Sequence, residues 1–261
     1  MIRRFVIRVL LPLLSLLVTV PVAAQSGAGA LGDGPRVGRV LSGARTGGAI
    51  ALMGDAPLRI EELALGTSDE ALPVFVARGT RRATGFAIFL HGMCSRPTRS
   101  LAAFAEVLRE RVTIVAPQGD VACDDGSFRW SDDPSLLSRR IDDALTAAGY
   151  RAGDSVVFIG YSQGAERIER LAAFAPAKYT RAILMSGPVV PAADRMRGVT
   201  HAAFVIGGNE GTPMMRAAYE EAQARGGAAF FGVLPDATHG SLGSRPHAVL
   251  NRALDVVLGC A

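Results

Sequence analysis

Lysine is almost absent from this chain. Lys178 is the only one, and the remaining basic charge sits on arginines scattered singly or in pairs over 261 residues. Without a basic run, a nucleic-acid partner has little to hold, and none is expected. Histidine is also scarce, with four in all, and the three cysteines stand at spacings that match no zinc pattern. Neither a metal nor a cofactor is expected. No internal repeat is visible, and long apolar runs are lacking except at the start.

That one run opens the chain. MIRR is a positive start, FVIRVLLPLLSLLVTV is apolar, and PVAAQ closes it with small residues, the pattern of a secretory signal peptide over 1–24 with cleavage after Ala24. Arg8 interrupts the run and Pro12 and Pro21 punctuate it, which leaves less than the roughly 20 apolar residues of a spanning helix. The expected product is secreted or periplasmic, with no stable membrane anchor after cleavage. Loss of Arg3, Arg4 and Arg8 with the signal also lowers the formal net charge from +4 to +1. An exported chain meets oxidising conditions, where Cys94, Cys123 and Cys260 allow one bridge and one free thiol.

Composition places the remainder among globular proteins, because 49% hydrophobic residues supply one large core. Residues 25–57 begin with the Gly-rich QSGAGALGDGPRVGRVLSGARTGG and read as a leader without sustained period. From 58 to 261 the pattern is that of a single domain. LRIEELAL and LPVFVARG suggest an opening hairpin or meander. GFAIFLHG, VTIVAPQ, SVVFIGYS, RAILMSG, AAFVIGG and AAFFGVLP are too continuously apolar to be half-exposed strands. Amphipathic helices are expected at about 98–111, 136–148, 163–174 and 213–225, with a final one near the C-terminus. This alternation predicts an α/β fold, a mostly parallel central sheet with helices on both faces. Ligands of such sheets bind beyond the carboxyl ends of the strands.

One corner stands out on that edge. SVVFI runs into GYSQG, and GAERIERLAAF leaves it with apolar residues at helical spacing, so Ser162 sits where a strand turns directly into a helix. Gly160 and Gly164 remove the β-carbons that would clash there, which leaves the serine hydroxyl exposed on a strained turn. A serine needs a base to take its proton. His239, in LPDATHGSL after the last strand, is at the required edge; His91 precedes Gly92 and reads as structural, His201 begins a strand, and His247 belongs to the final helix. The imidazole in turn needs an acid. Glu210, in NEGTP after AAFVIGG, is the first choice, with Asp236 and then Asp194 as alternatives. Donors to a developing oxyanion are the backbone N–H groups of Gln163, at the helix start, and Met93, in FLHGMCS.

Taken together, HGM, GYSQG, a strand-end acid and a late His-Gly give the chain a resemblance to the α/β-hydrolase family over about 58–260. The resemblance implies an order of serine, acid and histidine, here Ser162, Glu210 and His239, although most members carry aspartate where Glu210 stands. It implies a serine hydrolase, a carboxylesterase in the first instance, acting on a small-molecule ester with a small or medium acyl group. PVVPAADRMRGVTH is all that occupies the position where many relatives insert a lid, so an open site is expected. A secreted serine peptidase, an acyltransferase or a non-catalytic binding protein on the same fold remain alternatives. The loop DVACDDGSFRWSDDP is expected to overhang the pocket, with Phe128 and Trp130 as possible substrate contacts; packing of Trp130 onto the domain is the other use of such a ring. In the sheet order of the resemblance, GFAIFLHG and VTIVAPQ are neighbours. A Cys94–Cys123 disulfide is thereby implied, tying the Met93 loop to the DDGSFRW loop and leaving Cys260 free.

Overall fold

A computed structural model describes residues 57–65, 72–211 and 213–260. The signal-like segment 1–24, and residues 25–56 of the Gly-rich leader, lie outside the described residues. The apolar runs form the strands β1 (Ile60–Ala64), β2 (Pro73–Ala77), β3 (Gly85–Leu90), β4 (Val112–Pro117), β7 (Ser155–Tyr161), β8 (Arg181–Met185), β9 (His201–Gly207) and β10 (Ala228–Leu234). Between β4 and β7 lies a ribbon of two short strands, β5 (Val121–Ala122) and β6 (Phe128–Arg129). The main sheet has the order β1-β2-β4-β3-β7-β8-β9-β10, antiparallel at β1–β2 and β2–β4 and parallel throughout the rest.

Among the described residues five helices cover it: α1 (Pro97–Leu108), α2 (Pro134–Ala147), α3 (Gln163–Phe174), α4 (Pro213–Ala224) and α5 (Pro246–Leu258). Proline opens α1, α2 and α5, where its missing N–H has no helical partner to lose. Asp133 caps α2 by accepting from the N–H groups of Ser135 and Leu136 at 2.8 and 3.1 Å. Strand side chains alternate between two cores. Ile88 and Leu90 of β3 pack with α2, α3 and α4 (Ile141, Ile168, Met215), while Ala87 and Phe89 pack with α1 and α5 (Leu101, Leu254). Each fully buried aliphatic or aromatic side chain contributes roughly 1.5–3 kcal/mol, which is why β3, β4, β7, β8 and β9 lack a polar face; β10, expected from its apolar run to be buried, lies instead at the sheet edge with most of its residues partly or fully exposed.

Strand order reverses at β3. The chain leaves it to form β4 on one side, then crosses back to place β7 on the other, and this opens a crevice beyond the carboxyl ends of β3 and β7. The loops that close the crevice are held by buried polar contacts. His91, fully buried, donates from Nδ1 to the Gly92 carbonyl at 2.7 Å and accepts at Nε2 from the Gly119 N–H at 3.0 Å. That pairing requires a neutral ring, and burial above all, with the Arg140 charge adding to it, lowers its pKa from 6.5 to about 4 against the opposing Gly92 bond. The Trp130 indole N–H donates to the His91 carbonyl at 2.8 Å. Gln163 grips the backbone of Trp130 from below, accepting its N–H at Oε1 (3.1 Å) and donating from Nε2 to its carbonyl (3.4 Å).

Cys94 and Cys123 follow the adjacent parallel strands β3 and β4 and are joined in a disulfide with a Cα–Cα separation of 5.8 Å, as the strand order implied. Cys260 is free and exposed just past α5. Beside the bridge, Ser95 pairs with Phe128 through reciprocal main-chain hydrogen bonds of 3.0 Å, so the β5–β6 ribbon is fastened to the loop after β3.

Two outcomes are expected. Replacing both Cys94 and Cys123 by serine opens a loop of sequence separation 29, and the loop-entropy relation puts the loss near 3–4 kcal/mol; an unchanged urea midpoint, or a non-reducing peptide map with Cys94 alkylated, would contradict the bridge. The second concerns acid. The folded pKa of His91 lies below the unfolded one, so the unfolded chain takes up the proton first, and stability present in full above pH 6.5 is lost as pH falls towards 4. That loss is on the order of 3 kcal/mol. Urea titrations at pH 7.5 and 4 should show it in the wild type and show a smaller one in His91→Gln; parallel losses in both would mean the ring does not carry the effect.

Candidate active site

Ser162 lies between β7 and α3 with φ 53° and ψ −119°, a conformation outside the ordinary regions for a non-glycine residue. Its N–H donates to the Met185 carbonyl and its carbonyl accepts from Ala165, both at 2.9 Å, so the strained residue is held from both sides. The two glycines are required by space. A β-carbon on Gly160 would stand 2.4 Å from the Gly164 carbonyl oxygen, and one on Gly164 would stand 2.0 Å from the Leu90 oxygen at the end of β3.

Three side chains from three strand ends meet here. The Ser162 hydroxyl and His239 Nε2 are 3.1 Å apart, and His239 Nδ1 and Glu210 Oε2 are 2.8 Å apart. A carboxylate only accepts, so Nδ1 carries the proton and Nε2 presents its lone pair to the serine. His239 is half exposed, whereas the Glu210 side chain is 15% exposed. The other carboxylate oxygen, Oε1, accepts from the Ser186 hydroxyl at 2.8 Å and from the Gly207 N–H at 3.2 Å. Asp236 is not part of this group. It has φ 57° and accepts from the Ser244 hydroxyl at 2.9 Å, within the loop that leads to His239. Asp194 lies at the start of a short 3-10 turn (Arg195–Gly198), with its carbonyl accepting from Arg197 at 3.0 Å.

A cavity of about 250 Å³ lies over the pair, with Gly92, Met93, Ser162 and His239 among its walls. The Gln163 N–H belongs to the first residue of α3, so the helix supplies it no acceptor. With Met93 on the cavity wall and Gln163 next to the serine, both main-chain positions flank the hydroxyl. The walls do not include Phe128 or Trp130. Trp130 is 2% exposed with its indole bonded to His91, so the aromatic loop is fastened down instead of overhanging the crevice. The reason is the ribbon of β5 and β6, which draws the loop against Ser95.

Two participants were not legible in the sequence. Ser186 follows β8 with φ 46°, buried, and this turned backbone aims its hydroxyl at Glu210. Tyr161, inside the GYSQG corner, accepts from the Gly240 N–H and sets its ring 5.3 Å from that of His239. Burial raises its pKa above the ordinary value, so the phenol stays protonated. The only signal for either was position, at the end of β7 for Tyr161 and directly after β8 for Ser186, on the ligand-binding edge.

No protein-family model and no curated relative matches the sequence. Solved structures do match in shape. The carboxylesterase from Mesorhizobium loti is 19% identical with a TM-score of 0.53, over 78% of this chain and 97% of that one. For the dienelactone hydrolase from Anabaena variabilis the figures are 16% and 0.52, over 76% and 94%. Est1E from Butyrivibrio proteoclasticus is 12% identical with a TM-score of 0.55, over 76% and 98%. Likeness at such low identity concerns architecture, and on that ground, with its mostly parallel eight-stranded sheet and flanking helices, the chain has the α/β-hydrolase fold.

Proposed function

We propose that the protein is an exported serine hydrolase that cleaves carboxylic esters of small or medium acyl groups through an acyl-enzyme. The observation that carries this reading is the continuous relay Ser162 Oγ to His239 Nε2 (3.1 Å) and His239 Nδ1 to Glu210 Oε2 (2.8 Å) at the carboxyl edge of the sheet. The names of the fold neighbours, an esterase and a hydrolase among them, agree with it. Export is supported by the signal pattern and by the disulfide.

In this reading His239 takes the Ser162 proton as the oxygen attacks the ester carbonyl carbon, and the imidazolium is stabilised by the Glu210 charge. The carbonyl π electrons move onto oxygen, and the N–H groups of Met93 and Gln163 receive that oxyanion. Collapse expels the alcohol, which leaves with the proton from His239. Water, deprotonated by the same nitrogen, then attacks the acyl-enzyme and restores Ser162 with release of the acid. Burial of Glu210 beneath His239 costs little because two donors solvate Oε1, which keeps the charge where the imidazolium needs it. The segment 188–200 contains only one short 3-10 turn and brings no helical lid, so the site stays accessible to small soluble substrates.

A fluorophosphonate should label Ser162, and Ser162→Ala should abolish labelling and ester hydrolysis together; retained labelling in the variant would sink the assignment. Glu210→Gln should lower kcat for an aryl ester by orders of magnitude while Asp236→Asn changes it little. The reverse ranking would move the acid to Asp236. Ser186→Ala removes one hydrogen bond to a charged group, worth roughly 1.5 kcal/mol, so kcat/KM should fall about tenfold.

A further inference from the structure

The cavity over Ser162 shares Arg99, Ser100, Tyr161 and Gly240 with a second cavity of about 160 Å³. This neighbour is floored by Ala103 and Phe104 of α1 and closed by Leu242 from the loop after His239. Anything seated across both would place one end at the serine hydroxyl and pass Arg99 on the way. Among the residues that line the two cavities, Arg99 carries the one fixed charge.

Arg99 is exposed, and its guanidinium makes no ion pair among the described residues, whereas six other arginines do, among them Arg111 with Asp255 at 2.8 Å and Arg167 with Asp132 at 2.7 Å. The nearest catalytic carboxylate is already satisfied, since Glu210 receives Ser186, Gly207 and His239. A cation kept unpaired on the wall of a reactive cavity attracts an anionic ligand. The guanidinium fork also fits a carboxylate in bidentate fashion. The apolar floor beside it suits a short hydrocarbon spacer, and the small volumes leave no room for a long one.

We propose that Arg99 is the specificity-determining residue of this site and that its substrate is a short ester bearing a carboxylate. The proposal rests on the ester-cleaving reading and names the substrate class within it. The carboxylate can stand on the acyl side, as in the half-ester of a dicarboxylic acid, or on the alcohol side, as in an acylated hydroxy acid. Both present the same group to Arg99.

The test compares monomethyl glutarate and 4-acetoxybutyrate with the analogues in which the carboxylate is replaced by a carboxamide, followed by pH-stat at low salt. At least one anion should exceed its amide in kcat/KM by tenfold or more, and the pair that does so fixes the side. In Arg99→Gln this ratio should fall to near one, and Arg99→Lys, which keeps the charge but loses the fork, should give a ratio between the two. Equal loss on anion and amide, a ratio that survives Arg99→Gln, or no preference in the wild type would overturn the proposal. Binding of the same four compounds to Ser162→Ala, read by calorimetry, separates the two readings. Anion selectivity that disappears in the Ser162→Ala, Arg99→Gln double variant supports the role of Arg99 even where hydrolysis fails, in which case the ester-cleaving reading alone falls. Binding without such selectivity refutes the role of Arg99 and leaves hydrolysis untouched.

Discussion

The approach of the α3 start to the end of β3 is the contact on which the rest of the site depends. The Gly164 backbone lies so near the Leu90 carbonyl that a β-carbon would stand 2.0 Å from it, and Gly160 faces Gly164 with equal lack of room. Only with both side chains absent can β7 turn straight into α3, and that turn forces Ser162 to φ 53°. Such a conformation costs on the order of 1–3 kcal/mol and persists only where its surroundings over-determine it. Here pairing of β7 with β3 and β8, and the bond from Ser162 to Met185, provide that support. The same approach sets the other half of the site, because β3 continues into His91, Gly92 and Met93, and a β-carbon on Gly92 would stand 3.3 Å from that of Ser162. Ser162 and the Gly92–Met93 loop are therefore positioned by one contact.

Such a contact fixes the end of β3 but not the loop beyond it. That loop is held by groups of a different kind: the neutral His91 ring reaching Gly119, the Trp130 indole on the His91 carbonyl, the Gln163 amide on the Trp130 backbone, and the Cys94–Cys123 bridge. Gln163 works at both ends, its side chain gripping the aromatic loop and its main chain starting α3 beside the serine. A buried polar network of this sort gives a single geometry only if all its members are satisfied, and a charged His91 would lose the bond it accepts from Gly119.

What the sequence made legible follows the physics that short windows carry. The central strands read as unbroken apolar runs, though the edge strand β10 carried the same signal and is mostly exposed; α3 was bounded at 163 and 174 as found, and the paired glycines marked the corner at Ser162. The disulfide followed once β3 and β4 were expected side by side. The ribbon of β5 and β6 did not, because strands of two residues have no period to detect, and without it Trp130 stood between a substrate contact and packing onto the domain, where the structure bonds its indole to His91 and pairs Phe128 with Ser95. Ser186 and Tyr161 were hidden for another reason. Their roles arise from where a hydroxyl points after β8 turns at φ 46° and after β7 meets the His239 loop, and only tertiary placement decides that.

Glu210 illustrates how a longer acid is accommodated. It stands three residues beyond Gly207, the last residue of β9, and its own N–H bonds back to the Gly207 carbonyl at 3.0 Å. From this turn the side chain curls back, so that Oε1 accepts from the Gly207 N–H at 3.2 Å while Oε2 reaches His239 at 2.8 Å. An aspartate at the same position would be shorter by one carbon–carbon bond, about 1.5 Å, and could not keep the donors on Oε1 and the histidine on Oε2 from the same backbone. The extra methylene adds a rotatable bond, whose freedom would blur the orientation of His239 were it unrestrained. Ser186 and Gly207 supply the restraint, both on the oxygen that faces away from the imidazole. Glutamate at this place and a buried serine at the end of β8 thus belong together, the second removing the freedom that the first introduces.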